Sequence, residues 1–121
     1  VVGIHHLGVV MIFYTNRYIP KGAAACARGP FIFIRPEYKD DLGLLAHEKL
    51  HVKQWLCTLG LHSFLYLLIP EYRLWAEVSA YKVQAKYYPD DRLPKFAQFI
   101  STKYRLDITA DAALALLKEG E

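Results

Sequence analysis

Apolar positions change their period once along this chain. In the first third they come in short blocks of β-branched and aromatic residues. Val9, Val10, Ile12 and Phe13 precede a Thr15-Asn16 turn signal, and Phe31 to Ile34 precede Pro36. Such blocks predict strands over residues 8–14 and 31–35. Residues 18–29 are broken by Pro20, Gly22 and Gly29 and read as a loop or weak hairpin, with the Ala23 to Ala25 run unassigned. From Leu42 the spacing becomes helical. Leu44, Leu45, Leu50, Val52 and Leu56 supply apolar faces, Asp40-Asp41 supplies an N-cap, and Gly60 supplies a stop, so a first helix is expected over 41–59. A short apolar helix follows at His62–Leu68. Pro70 and Pro94 suit first-turn positions of helices over 70–87 and 93–104, with Pro89-Asp90-Asp91 between them. Thr109 caps a last helix over 110–119, followed by Gly120. The pattern predicts an α+β fold, in which a small, mostly antiparallel sheet packs on the first and third helices.

Composition narrows the classes. The 121 residues fit one domain, 1–121, and 54% apolar against 22% charged residues describe a globular chain. Lys and Arg number 15 against 12 Asp and Glu, a net charge of +3 with no polybasic run, so nucleic acid is not an expected partner. Cys26 and Cys57 are too few for a disulfide scaffold and have no Cys-x-x-Cys spacing, which fits a cytoplasmic address better than a secreted one. Residues 1–11 lack a basic start and a cleavage pattern, so no signal peptide is expected there. The most apolar window, residues 59–69, contains His62 and Ser63 and is far short of the ~20 residues a bilayer crossing needs.

Chemistry enters with His47-Glu48-Lys49-Leu50-His51, an HExxH sequence in the middle of the first predicted helix. At ~3.6 residues per turn the two imidazoles stand on one face and can converge on a Zn2+ ion. Glu48 is rotated beside them, where a carboxylate can take a proton from a water that the metal has acidified. The chain's own composition yields HExxH by chance in roughly 1% of shuffles, so the helix context matters. Two imidazoles need a third protein ligand. No His lies at the spacing of a HExxHxxGxxH site: position 54 is Gln and position 57 is Cys. Glu77, on the third predicted helix, is the candidate, with Ser79 and Ala80 small enough to let two helices approach. A plain surface role for Glu77 would pair it with Arg73 at i−4. Glu71 is the rival ligand, but it sits in a first turn where it serves the helix end.

HExxH on one helix followed by a Glu ligand on a later one resembles the gluzincin group of zinc metallopeptidases. The small size, the run from His47 to Trp55, and Glu77 to Tyr81 make it similar to the compact minigluzincins, over roughly residues 31–81. The resemblance implies a zincin-like metallopeptidase domain, with His47, His51 and Glu77 as metal ligands and Glu48 as general base. It also implies a sheet whose edge strand rims the cleft and pairs with an extended peptide substrate. Phe31, Ile32, Phe33 and Ile34 would take that place.

Other residues admit two readings. Tyr81, at i+4 from Glu77, shares its helix face and can steady an oxyanion, or it is a packed aromatic with its hydroxyl satisfied. Gln54, one turn beyond His51, reads as a surface polar residue or as an outer partner of the site. Trp55 and Trp75 read as core, and Cys57 as a small buried residue. His62 can reach the cleft as an electrophile or, beside Leu61 and Phe64, is a packed or capped residue, and His5-His6 read as surface. Asp40-Asp41 and Asp90-Asp91 read as helix caps. Residues 107–121 lie outside the resemblance and are expected either to complete the core or to fold over the cleft and keep the protein latent. The alternative to a hydrolase is a non-catalytic assembly module, of the kind a phage particle uses, in which zinc supports the fold.

Overall fold

The computed structural model describes residues 4–7 and 10–120, with side chains from residue 10 onward. The first apolar block forms β2 (Val10–Tyr14), paired antiparallel with β1 (Ile4–Leu7). The second forms β4 (Phe31–Ile34). The segment read as a loop or weak hairpin contains β3 (Ala25–Arg28), joined to β4 by a tight turn in which Gly29 takes a φ of 59°, the sign a two-residue hairpin needs. Among the described residues the sheet order is β1-β2-β4-β3, with β2 and β4 parallel and the outer pairs antiparallel.

That order corrects one expectation. β4 is hydrogen-bonded on both sides, so Phe31 to Ile34 cannot receive a peptide strand. Ile32 and Ile34 instead join Ile12 and Ala25 in a core that packs on Val52. Phe33 stacks on Phe13 with ring centroids 5.3 Å apart, and Tyr18 leans on it. The free edge beside the helices belongs to β3. Its signal was weak because Ala-Cys-Ala-Arg has little strand propensity and gains its place by pairing with β4.

The helices follow the reading closely: α1 (Leu42–Cys57), α2 (His62–Leu68), α3 (Pro70–Ala85), α4 (Leu93–Lys103) and α5 (Ala110–Lys118). Asp41 caps α1 through the Leu44 N–H, and Thr109 caps α5 through the Ala112 N–H. At the end of α1, Leu59 N–H reaches the Leu56 carbonyl and Gly60 N–H the Trp55 carbonyl. This is the Schellman pattern, but with a leucine, φ 54°, entering the left-handed region ahead of Gly60.

α1 lies against the sheet on one side and α3 on the other, while Tyr81 of α3 joins the helical core of Phe96, Ile100, Ala113 and Leu117. α5 therefore completes that core by packing on α4 and α3, and none of residues 107–120 lines the cleft described below. Two further expectations change. Trp75 is exposed, and so is Cys57. Trp55 is half-buried beside Gly29 and Gly60. His5 and His6 lie outside the residues whose side chains are described. Among the described residues no helix is long and apolar enough to cross a membrane.

Candidate metal centre

α1 turns His47 and His51 toward α3, and α3 returns Glu77. The helices approach closely because Ala76 and Ala80, both fully buried, flank Glu77 on that face; Ser79, expected to help, is only half-buried. The His47 and His51 Nε2 atoms are 3.2 Å apart. Glu77 Oε1 is 3.3 Å from His47 Nε2, and Oε2 is 3.3 Å from His51 Nε2. Donor atoms ~2.0–2.1 Å from a tetrahedral ion stand about 3.3 Å from each other, so this spacing fits a metal at their centre. Glu77 Oε1 is buried and accepts no hydrogen bond, an orphaned acceptor aimed at the same point. The three side chains form a site able to hold a metal ion. Glu71, the rival ligand, is exposed at the start of α3.

Each imidazole is fixed from behind. His51 Nδ1–H donates to Gln54 Oε1 at 2.9 Å, and Gln54 is buried, so it is an outer partner of the site and not a surface residue. His47 Nδ1–H donates to Gln84 Oε1 at 2.9 Å. The chain continues from Gln84 Nε2 to the Tyr88 hydroxyl, and from that hydroxyl to Asp41 Oδ1 at the cap of α1. With both Nδ1 atoms donating, the Nε2 atoms are the ones left facing the centre, able to ligate once they carry no proton. Gly43 makes the relay possible: a Cβ there would stand 2.6 Å from the Tyr88 ring and hydroxyl. Gly43→Ala and Gln84→Ala are each expected to weaken zinc binding about 10–100-fold while leaving its stoichiometry unchanged. Competition against a chromophoric chelator measures this, and unaltered affinity in both variants would remove the relay from the site.

Three phenols surround the centre, and sequence reading found only the least accessible. Tyr81 packs its ring on His47, centroids 4.4 Å apart, and its hydroxyl bonds the Tyr104 hydroxyl at 2.5 Å. It lines the adjoining cavity that shares His47, Glu48 and Tyr104, whereas Tyr66 and Tyr104 line the cleft that holds the whole trio. Tyr66 of α2 donates its hydroxyl proton to Glu77 Oε2. Arg73 does not pair with Glu77. Its buried guanidinium grips the carbonyls of Tyr66 at 2.8 Å, Tyr104 at 2.7 Å and Arg105 at 3.0 Å, tying both phenol-bearing segments to α3. His62 also reaches the cleft, held by the Tyr72 hydroxyl at 2.7 Å.

Glu48 lies beside the imidazoles, 5% exposed, with no hydrogen bond or ion pair among the described residues. Burial pushes its carboxyl upward, only partly opposed by His47 and His51. Burial also disfavours a charged His51, but the Glu77 carboxylate outweighs it and holds the imidazole up at about 9. For Glu77 burial is likewise outweighed, here by His51 and His47, and its carboxyl stays well below the usual range. Without metal, near pH 7.5, His51 thus carries a proton that coordination must displace, while Glu77 has none to lose. Zinc binding at that pH is expected to release about one proton from His51. Calorimetry in two buffers of different ionisation enthalpy reads that number, and zero release would contradict the His51–Glu77 ion pair.

The trio and Glu48 form the floor of a cleft of about 770 Å³. α2 contributes Ser63, Tyr66 and Leu67 to one wall, and β3 contributes Ala25 to Arg28 to another. Phe31 to Ile34 line none of it. Comparison with protein-family models, curated proteins and solved structures found no match, so the functional reading rests on the site itself. Four titratable side chains in the interior of so small a chain cost stability relative to apolar residues of the same volume. Such a cluster is expected where chemistry requires it.

Proposed function

We propose that this protein is a zinc-dependent hydrolase of gluzincin type, an endopeptidase acting on extended peptide. The observation that carries the reading is the buried His47, His51 and Glu77 trio with an unpartnered Glu48 carboxylate beside it, together on the floor of an open cleft. Zinc, when bound, would supply a Lewis acid for the scissile carbonyl and for water. Glu48 would take the proton from that water and deliver it to the leaving amine. Among the described residues it has no hydrogen-bond or ion-pair partner, which leaves it free for both transfers. Glu77 is steadied by the Tyr66 hydroxyl, so its position does not depend on the metal alone. Tyr81 supports the reaction from behind: if it donates to Tyr104, the Tyr104 proton is left to point at an oxygen in the cleft. The substrate backbone would pair with the outer edge of β3, the free edge at the cleft wall.

The reading is tested by incubating the zinc-loaded protein with an unfolded protein such as reduced casein and sequencing the products by mass spectrometry. Internal cleavage that stops on chelation and returns with zinc is expected. One zinc per chain with no cleavage would favour the non-catalytic assembly module.

A further inference from the structure

The rim of the cleft in front of the trio is cationic. Among the described residues its carboxylates are Glu48 and Glu77, both buried on the floor; Glu37 and Asp41 line the adjoining cavity that shares His47 and Glu48, where Arg35, Arg92 and Lys95 outnumber them. The exposed charged side chains of the cleft itself are Lys21, Arg28, Lys103 and Arg105, all cationic. Among the described residues none of the four pairs with a carboxylate, and the one Lys or Arg ion pair is Arg92 with Asp90. A chain of net charge +3 has acids enough to neutralise such a rim, yet they lie elsewhere.

Local structure holds the Arg28 and Lys103 cations and the Arg105 backbone in place. The Arg28 guanidinium donates to the Tyr18 carbonyl from Nε at 3.3 Å and Nη2 at 3.1 Å. Lys103 reaches the Gly22 carbonyl at 3.3 Å, next to Lys21 in sequence, and its ammonium lies 4.2 Å from the Phe99 ring centroid. Arg105 sits at a left-handed kink, φ 53°, whose carbonyl Arg73 grips. Carbonyl and ring partners orient a cation without cancelling its charge.

The same wall offers backbone. Arg35 N–H bonds the Ala24 carbonyl, which puts Ala24, Cys26 and Arg28 in the positions bonded to β4. Ala25 and Ala27 therefore turn their N–H and C=O groups to the open edge, with no bulky side chain on either. An extended segment added there runs beside Arg28.

We infer that the cleft selects an extended polypeptide segment bearing acidic side chains around the bond to be cut. This rests on the peptidase reading for cleavage, but not for binding. Nucleic acid shares the negative charge, but a β-edge pairs with amide backbone and not with phosphodiester, so the polypeptide is the occupant.

Three fluorescent peptides of equal length, with flanks of Glu and Asp, of Ser and Gly, or of Lys and Arg, are titrated by anisotropy into zinc-loaded Glu48→Gln protein, which leaves them intact. The acidic peptide is expected to bind at least tenfold tighter than the neutral one, with affinity falling as salt rises. Arg28→Glu combined with Arg105→Glu is expected to abolish that preference, and Lys53→Glu, an exposed cation outside the cleft, to leave it. Unchanged melting temperature and zinc content show that the variants are folded. Equal binding of all three peptides, no binding of any, or a preference that survives the charge reversals overturns the inference. So does tighter, Arg28- and Arg105-dependent binding of a single-stranded oligonucleotide of the same charge. If wild type cleaves acidic and neutral peptides at one rate, the selectivity fails and the peptidase stands. If acidic peptides bind through these cations and none is cut, the peptidase reading fails and the binding stands.

Discussion

In the proposed hydrolase, peptide cleavage is expected to fall about 10²–10⁴-fold when Glu48 is replaced by glutamine, with one zinc per chain retained. The substitution keeps the shape of the side chain and removes its basicity. Glu48 is not among the three side chains whose donor atoms converge, His47, His51 and Glu77, so a metal held by them would not need it. Among the described residues its carboxyl makes no hydrogen bond, so the amide disturbs no network there. Removing a buried, unpartnered carboxylate also relieves its desolvation, so the variant is expected to melt no lower than wild type. This separates a chemical effect from unfolding. Steady-state cleavage, zinc content and thermal melting on one preparation decide the matter. Activity within tenfold of wild type would show that Glu48 is not the base.

The second large effect is expected at Glu77. Glu77→Ala should weaken zinc binding by more than the about 10–100-fold typical of losing an outer partner, because a ligand itself is removed. It should also destabilise the metal-free protein, since the protonated His51 loses its carboxylate partner and the Tyr66 hydroxyl loses its acceptor. Breaking a buried pair by deleting one member costs about 3–5 kcal/mol. The pH dependence follows from the signs of the shifts. His51, raised from 6.5 to about 9, contributes stability that is complete below 6.5 and lost as pH rises through 9. Glu77, lowered from 4.5, contributes stability that is complete above 4.5 and lost as pH falls through its depressed value. The cost of Glu77→Ala in the metal-free protein should therefore be largest between about pH 4.5 and 6.5. Urea unfolding of chelator-treated wild type and variant across pH 4 to 9.5 measures it. A difference independent of pH would place the loss in packing alone.

Most helix bounds were legible because caps and breakers act locally: Asp41, Thr109, Pro70 and Pro94 do in the structure what their chemistry dictates. α3 shows where the apolar pattern misleads. It buries Arg73, Glu77 and Gln84 and exposes Trp75, an inversion that hydrophobic periodicity cannot reveal. A signal was nevertheless present. Arg73, Glu77, Tyr81 and Gln84 follow one another at helical spacing down a single face, so Gln84 was within reach of the argument that found Tyr81. β3 escaped because its residues carry no strand preference of their own.

By itself the chain's order of residues determined an α+β architecture and two imidazoles one turn apart with a carboxylate beside them. Both follow from local spacing along a helix, which needs no partner. Only the tertiary structure decided that Glu77 closes the trio, that Tyr66 and Tyr104 face the cleft while Tyr81 stands behind, and that β3 is the open edge beside the site. Those facts depend on which segments meet across a loop, and the energy that chooses among meetings is spread over the whole core.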